Sequence, residues 1–300
     1  MHSYHSRSEQ DNVLVSPEMG SPGEEVVYAL DSTHQMGWRV WATIFEDLLS
    51  SHELIWRLVV RDISARYRQS ILGYAWAMLP TIATVTIFAF LTSSRTIPVG
   101  ETPMPYVAYA LWSIGVWQLF ASCLVNCTNS LVNAGSLVSK VKFPKEALVI
   151  AALGQPLIDF LIRLVPVALV FTWYGIALNW QAVFIPFILV PAILLALGLG
   201  FLLSIANLVL RDIGNALGVI LTFGIFLAPV LYPPTTTWPS NLINLLNPFN
   251  PILISSQDLI VYGTLSMPEG FLFSCLFSVL VLLIGWRLFR IAMPRVCAYA

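Results

Sequence analysis

The chain has 300 residues, of which 57% are hydrophobic and only 10% charged, and its mean hydropathy is +0.78. A soluble domain carries about 25% charged residues, so this composition excludes a water-soluble globular protein and indicates an integral membrane protein. The net charge of −1 excludes a nucleic-acid-binding protein that relies on bulk electrostatics. The four cysteines have no metal-site spacing, so no metal is predicted.

The N-terminal region divides into two predicted parts. Residues 1–37 are polar and mildly acidic and lack both periodicity and a signal-peptide pattern, which indicates a disordered cytoplasmic tail. Residues 38–70 are predicted to form an amphipathic interface helix and an elbow. In WATIFEDLLSSHELIWRLVV, residues 41–60, apolar positions follow helical spacing, and the other face is acidic. We expect this helix to dock in the membrane interface beside a bundle, rather than to act as a lipid sensor or a soluble helix.

Residues 71–295 are predicted to form an all-α transmembrane domain with six spans. Each apolar stretch is close to the roughly 20 residues that a bilayer core requires. The predicted spans are 71–93, 106–132, 147–174, 182–209, 213–232 and 271–291.

Basic residues predict the orientation of these spans. They precede the first span and occur between spans two and three, between spans four and five, and after span six, whereas the opposite loops hold only Arg95. This positive-inside pattern places both termini in the cytoplasm. The basic residues are Arg57, Arg61, Arg66, Arg68, Lys140, Lys142, Lys145, Arg211, Arg287, Arg290 and Arg295.

The outer loop 233–270 is too apolar for an exposed loop and too interrupted for a span. It contains LINLLNPFNPILISSQDLIVYG and no Lys or Arg. We expect short re-entrant or interfacial helices here, because irregular backbone at membrane depth must be shielded by protein or line a cavity.

The membrane segments supply little catalytic chemistry. Asp159 and Arg163, spaced i, i+4, predict either a structural ion pair or a contact with an anionic substrate or partner subunit. No GxxxxGK[ST] motif occurs, and no carboxylate set, Ser/His pair or metal cluster is visible. The chain is therefore not predicted to be an enzyme, and energy for uphill transport must come from another chain.

Polar and aromatic stripes in the first two spans predict a substrate path. In the second span, Tyr106, Tyr109, Ser113, Trp117 and Phe120 fall within about 80° at helical spacing. A second stripe, on the opposite side, consists of Gln118, Ser122, Asn126, Asn129 and Asn133, and the first span aligns Tyr74, Thr81, Thr84, Phe88 and Thr92. Such residues suit a polar solute such as a sugar, but an interfacial aromatic belt and interhelical hydrogen bonding explain them equally well.

The segment 136–149, SLVSKVKFPKEALV, carries three lysines and Phe143 beside Pro144. Topological charge alone explains the lysines. A loop helix that docks into a partner would also explain an exposed Phe143.

Four motifs together resemble the permease subunits of type-2 ABC exporters that export lipid-linked polysaccharides such as O-antigens, capsules and teichoic acids. The resemblance covers about residues 40–295. The motifs are VVRDISARYRQSILGYAWAMLP, LVSKVKFPKEALVIAALG, NLVLRDIGNALGVIL and LNPFNPILISSQDLIVYG. The first two motifs together are the more specific.

The resemblance implies a homodimeric pore in the bacterial inner membrane, with two copies of a separate ABC ATPase that bind ATP and Mg²⁺. It implies a lipid-linked glycan substrate in contact with membrane lipids, guided by aromatic residues near the outer end of the channel. It also implies ATPase-coupling residues after the second span, in the loop between spans four and five, and at the junction before the first span. These are Ser136, Lys140, Lys142, Phe143, Pro144, Lys145, Arg211, Asp212, Arg61, Arg66 and Arg68.

Two other functions stay open at this point. A type-2 ABC permease for drugs or small lipids would share the same architecture. A membrane enzyme or scaffold would be active, or would assemble stably, without an ATPase partner.

Overall fold

A computed structural model describes residues 49, 51–67, 75–94, 101–135, 143–233 and 246–299. The structure is all-helical, and no strand occurs among these residues. In chain order the α-helices are α1 (His52–Tyr67), α2 (Ala75–Ser93), α3 (Tyr106–Ala134), α4 (Glu146–Ala151), α5 (Gly154–Trp173), α6 (Ile185–Val209), α7 (Asp212–Gly224), α8 (Phe249–Val261) and α9 (Pro268–Tyr299), with a 3₁₀ helix at Trp180–Phe184 before α6. The predicted tail at 1–37 lies outside the described residues.

Four helical segments in the described part of the chain are long and apolar enough to cross a membrane. They are Tyr106–Ala134, Glu146–Trp173, Trp180–Val209 and Pro268–Pro294. The first and fifth predicted spans correspond to shorter apolar helices, Met78–Ser93 and Asp212–Gly224. The structure therefore confirms a multi-pass helical protein with four candidate spans.

The fifth predicted span, 213–232, is helical only in its first part. Helix α7 ends at Gly224, and residues 225–230 form successive turns. Pro229 explains the ending, because a proline ring clashes with the carbonyl four residues earlier and disfavours helical geometry in the residue before it.

Helix α3 is the centre of the bundle. Most of its 29 residues are buried, and α2, α5, α6, α7 and α8 all pack against it. It contains no proline, so its ladder of hydrogen bonds is continuous over the whole length. It ends at Gly135, whose φ of +50° is a conformation that glycine adopts without the steric cost of a side chain.

Two clusters of buried side chains form the core. The larger core cluster surrounds Tyr109, Trp117 and Phe120 of α3 and includes residues of α6 and α8. The smaller core cluster surrounds Phe201, stacked on Trp286 at 5.9 Å, and includes Leu58 of α1 and Leu131 of α3. The smaller cluster lies at the end of the bundle where α3 and α6 end. We call this the basic end, because Arg61 and Arg211 lie close in the sequence to residues of this cluster.

Helix α1 is the described part of the predicted amphipathic helix. It runs from His52 to Tyr67, beyond the predicted end at residue 60, and residues 41–48 lie outside the described part. Leu58 is buried in the smaller core cluster, whereas Trp56 and Val60 are exposed.

Helix α8 occupies the predicted outer loop 233–270. Its 13 residues span about 20 Å at 1.5 Å per residue, which is shorter than a hydrocarbon core of about 30 Å. Ten of these residues are buried, so α8 is a core element of the bundle.

The crossing of α6 and α9 depends on two glycines, and this generates a prediction. A Cβ on Gly285 would collide with the carbonyl oxygen of Gly198. We expect Gly285→Val to reduce the free energy of unfolding by about 1–3 kcal/mol, because added volume forces the helices apart. The measurement is thermal unfolding of the purified protein followed by tryptophan fluorescence.

Gly115→Ala is the matched control for this prediction. Gly115 is a buried helical glycine, but a Cβ there meets no atom within 4 Å. Its melting temperature should stay at or above that of the wild type. An equal loss in both variants would show that the α6–α9 contact is not limiting.

Candidate functional site

A cavity of about 570 Å³ lies among α2, α3, α5 and α7. Its wall combines aromatic rings, uncharged polar side chains and one residue of each charge. The lining residues are Thr84, Phe88, Trp117, Gln118, Ala121, Ser122, Val125, Asn126, Asp159, Arg163, Gly218, Leu221, Thr222, Ile225, Phe226 and Leu231. We call this space the polar cavity.

The polar side of the cavity comes from α3. Gln118, Ser122 and Asn126 are spaced by four residues, so they form one row along the helix. Thr81 of α2 is buried behind this row, and its hydroxyl donates to Oε1 of Gln118 at 2.7 Å. The hydrogen bond joins α2 to α3 and fixes the amide at the cavity wall.

The aromatic side of the cavity consists of Phe88 and Phe226 together with Trp117. Trp117 belongs to the predicted aromatic stripe and remains in ring contact with Phe120 at 5.8 Å, but Tyr106, Tyr109 and Phe120 do not line the polar cavity. In the single chain, Tyr109 is completely buried and Phe120 is 7% exposed.

The hydroxyl groups of the two tyrosines are turned into the protein. Tyr109 donates to the carbonyl oxygens of Pro229 at 2.8 Å and Tyr232 at 2.9 Å, and Tyr106 donates to that of Leu231 at 3.1 Å. These bonds satisfy carbonyl groups left over where the chain leaves α7. Both tyrosines therefore hold the turns after α7 against α3.

Phe249 of α8 is a site neighbour that the sequence analysis missed. Its ring lies 5.2 Å from that of Trp117 and 5.1 Å from that of Phe120, measured between centroids. Helix α8 is also fixed by hydrogen bonds from Trp112 Nε1 to Ser256 Oγ at 3.0 Å and from Gln257 Nε2 to Ser113 Oγ at 2.8 Å. The sequence signal that could have indicated Phe249 is the polar, proline-containing stretch Asn-Pro-Phe-Asn-Pro within apolar surroundings.

The cavity wall formed by α7 was also missed. Gly218 and Thr222 are spaced i, i+4 in a stretch for which the sequence predicts only an apolar span. A small and a hydroxyl residue on one face of an apolar helix was the signal that could have indicated this wall.

Asp159 and Arg163 of α5 both line the polar cavity. They are 3% and 8% exposed, respectively, and the i, i+4 spacing puts them on one face. The formal charges of Asp159 and Arg163 cancel, so the lining residues have no net formal charge. The cavity therefore presents a hydrogen-bonding surface without net charge, and the only charged groups among its described lining residues are those of Asp159 and Arg163 on α5.

The row of polar residues on α3 continues beyond the cavity. Asn126 also lines a smaller cleft of about 160 Å³, together with Ser130, Asn133 and Arg61. Arg61 Nη2 lies 2.8 Å from Asp62 Oδ1 in this cleft. Asn129 lines neither space, because its side chain bonds with Asn207 of α6 at 2.9 Å.

The predicted coupling residues lie at the basic end of the bundle where the structure describes them. Arg211 is exposed in the turn between α6 and α7, and Asp212 is exposed at the start of α7. Phe143 is half-buried against the smaller core cluster, with Lys145 Nζ 4.2 Å from its ring centroid, so this chain covers part of its ring and leaves the rest exposed. Pro144 is half-buried beside it.

Several predicted site residues fall outside what the structure describes. Tyr74, Arg68, Ser136, Lys140 and Lys142 lie outside the described residues. The backbone of Arg66 belongs to α1, but its side chain is not described.

Comparison with known proteins identifies the family of this chain. Residues 53–261 match the family model described as "ABC-2 type transporter". The chain belongs to the ABC-2 type transporter family. The matched range contains every residue that lines the polar cavity, whereas α9 lies beyond it.

Three curated relatives of this ABC-2 protein carry the name "O-antigen export system permease protein RfbA". The relative from Myxococcus xanthus is 24% identical, over 73% of this chain and 84% of its own length. Two relatives from Klebsiella pneumoniae are 27% and 26% identical, each over 69% of this chain and 79% of their own length. The resemblance to the permease subunits of type-2 ABC exporters is confirmed, and these names indicate a transport permease rather than an enzyme.

The buried charges of this ABC-2 permease generate the next prediction. We expect Asp159→Asn and Arg163→Met each to reduce the free energy of unfolding by about 3 kcal/mol, because each leaves the other charge in a low-dielectric site. The double variant should lose clearly less than the sum of the two. Unfolding free energies measured in the same bilayer mimetic for all four proteins complete the double-mutant cycle.

Additive losses would contradict this prediction. They would show that Asp159 and Arg163 interact with other groups rather than with each other.

Proposed function

We propose that this chain is the transmembrane permease subunit of an ATP-driven ABC exporter that moves lipid-linked polysaccharide across the bacterial inner membrane. The observation that carries the proposal is the polar cavity, in which aromatic rings and uncharged polar groups face one another within an ABC-2 transporter fold. The names of the relatives support the same class of cargo.

The chemistry of the cavity suits a glycan. Sugar rings have apolar C–H faces, which pack on aromatic rings such as those of Trp117 and Phe88. Their hydroxyl groups exchange hydrogen bonds with amides and hydroxyls such as those of Gln118, Ser122 and Asn126. Because the wall carries no net charge, it would let successive sugars pass without holding any one tightly.

The membrane architecture of the proposal has six spans. The first and fifth spans of the proposal are 71–93, which contains α2, and 213–232, in which α7 is followed by the turns at 225–230. Helix α8 is a re-entrant helix between the fifth and sixth spans. Helix α1 lies in the interface, where the exposed Trp56 and Val60 would meet lipid.

The basic end of the bundle is the cytoplasmic side in this proposal. Arg61 lies beside Asn133 at the end of α3, and Arg211 directly follows α6, so basic residues collect at one end. The opposite end carries Glu101 and Glu269. The positive-inside rule then places both termini in the cytoplasm.

Energy for transport comes from a separate ABC ATPase, which supplies the sites for ATP and Mg²⁺. Two copies of the permease form the pore, and two copies of the ATPase bind beneath it. The exposed Arg211 and Asp212 and the segment 136–145 offer charged contacts to the ATPase. Closure of the ATPase pair would push on these segments and advance the glycan along the polar row of α3.

A second candidate, a permease for drugs or small lipids, is favoured by one observation. An apolar groove of about 690 Å³ lies among α3, α5 and α6, lined by side chains such as Leu161, Leu164, Phe171 and Leu189. A groove of this kind accepts an apolar chain but offers a sugar few hydrogen bonds. The two candidates therefore differ in whether export needs the polar cavity or the groove.

The first test is assembly with the genomically adjacent ATPase. We expect the wild-type chain to retain that ATPase on co-purification, and the charge reversal Arg211→Glu combined with Lys142→Glu to lose at least tenfold in binding, since two attractive contacts become repulsive. Glu269→Lys is the control, because it reverses an exposed charge at the opposite end. Failure of the wild type to bind would overturn the proposal.

The second test concerns the cargo. Lipid-linked glycan is extracted from membranes of a strain that lacks the permease and is placed in proteoliposomes with the complex. We expect ATP-dependent export that falls about tenfold in Gln118→Leu, with loss of one or two hydrogen bonds to the sugar. Equal export by Gln118→Leu and loss of export in Leu164→Trp, which fills the groove, would favour the second candidate instead.

A further inference from the structure

One buried amide joins three helices at the basic end of the bundle. Asn207, in the last turn of α6, is 1% exposed. Its neighbours are Thr128 and Asn129 of α3 and Gly214 in the first turn of α7. We call Asn129, Asn207 and Gly214 the amide clasp.

Both ends of the Asn207 amide are engaged. Its Nδ2 donates to Asn129 Oδ1 at 2.9 Å and to the carbonyl oxygen of Thr128 at 3.3 Å, and its Oδ1 accepts from the backbone N–H of Gly214 at 2.8 Å. That N–H belongs to the first turn of a helix, where backbone donors have no partner within the helix. Asn207 therefore caps α7 from a neighbouring helix.

The packing around the clasp is tight at Gly214 of α7, so an added side chain would displace the clasp amides. A Cβ on Gly214 would lie 2.5 Å from Asn129 Oδ1 and 3.1 Å from Asn207 Oδ1. Both amides are thus in close contact with the backbone of α7. Movement of α7 away from α3 must break these hydrogen bonds, which leaves the amide of Asn207, 1% exposed, without its partners.

The clasp lies beside the α6–α7 turn, which is proposed to meet the ATPase, so the inference rests on the proposed function. Asn207 and Gly214 bracket the turn that carries Arg211 and Asp212. Asn129 lies about 8 Å of helix before the end of α3, after which the chain enters the segment 136–145.

The same helix, α3, carries the polar cavity. Trp117, Gln118 and Ser122 lie two to three turns before Asn129 along a helix without a proline. When the clasp is closed, a displacement of the α6–α7 turn also displaces these residues of α3.

We propose that Asn207 is a positioning residue for transport: the amide clasp fastens the α6–α7 turn to α3, so that ATPase movement at this turn displaces the α3 wall of the polar cavity together with the α7 wall. Its effect is on the number of transport events per ATP hydrolysed. Asn207 lines neither the polar cavity nor the smaller cleft.

The test uses the full complex of permease and ATPase in proteoliposomes, with the extracted lipid-linked glycan as the probe. ATP hydrolysis and glycan export are measured in the same vesicles. We expect Asn207→Ala to retain hydrolysis but to lower export per ATP by about tenfold, a size typical of coupling between distant sites. Gly214→Ala should act in the same direction, because it pushes the clasp apart without removing an amide.

Ser204→Ala is the matched control. Ser204 is fully buried in α6, one turn before Asn207, but its hydroxyl donates within its own helix, to the carbonyl oxygen of Phe201 at 2.9 Å. Export per ATP should equal the wild-type value. If Asn207→Ala fails to assemble, Asn129→Ala takes its place, since it removes one hydrogen bond of the clasp and leaves the cap on α7.

The outcomes separate the inference from the proposed function. A wild-type complex that hydrolyses ATP but exports no glycan overturns both. A wild type that exports, with variants that lose export and hydrolysis in proportion, overturns the clasp alone, because the amides then serve only stability. Unchanged export per ATP in the clasp variants also overturns it.

Discussion

The constraint on which this structure depends is that a hydrocarbon environment offers no water to polar groups. Every backbone N–H and C=O at that depth must be bonded within the protein, which favours helices and penalises loops. Polar side chains face the same requirement. In this chain many of them meet it by bonding to or from α3, as with Thr81 to Gln118, Gln257 to Ser113 and Tyr109 to Pro229.

This requirement divides the polar residues of α3 into two groups. Ser113 and Asn129 are used to hold neighbouring helices, and their bonding capacity is directed at α8 and α6. Gln118, Ser122 and Asn126 lie in a row that faces the polar cavity. Gln118 serves both purposes, because its Oε1 also accepts from Thr81 of α2.

The family match and the packing divide the chain in a similar way. Residues 53–261 contain the polar cavity and the clasp, whereas α9 lies beyond the match. Helix α9 packs on α6 through Gly198 and Gly285, where the backbones approach closely. Its role in this arrangement is to support α6, which in turn carries Asn207.

The sequence alone determined the class of protein, the helical content and the family resemblance, because composition, helical periodicity and short motifs are local properties of the chain. Residues on one face of one helix, such as Ser122 and Asn126, were likewise placed by the 3.6-residue period. Tertiary structure alone decided which polar or aromatic residues pack between helices and which line the cavity. Periodicity placed Tyr109 and Trp117 on one face of the helix. The turns after α7 bury Tyr109, whereas Trp117 lines the polar cavity. The sequence could not distinguish the two, because burial depends on residues more than 100 positions away. The clasp of Asn207 with Asn129, 78 residues apart, is a contact of the same long-range kind.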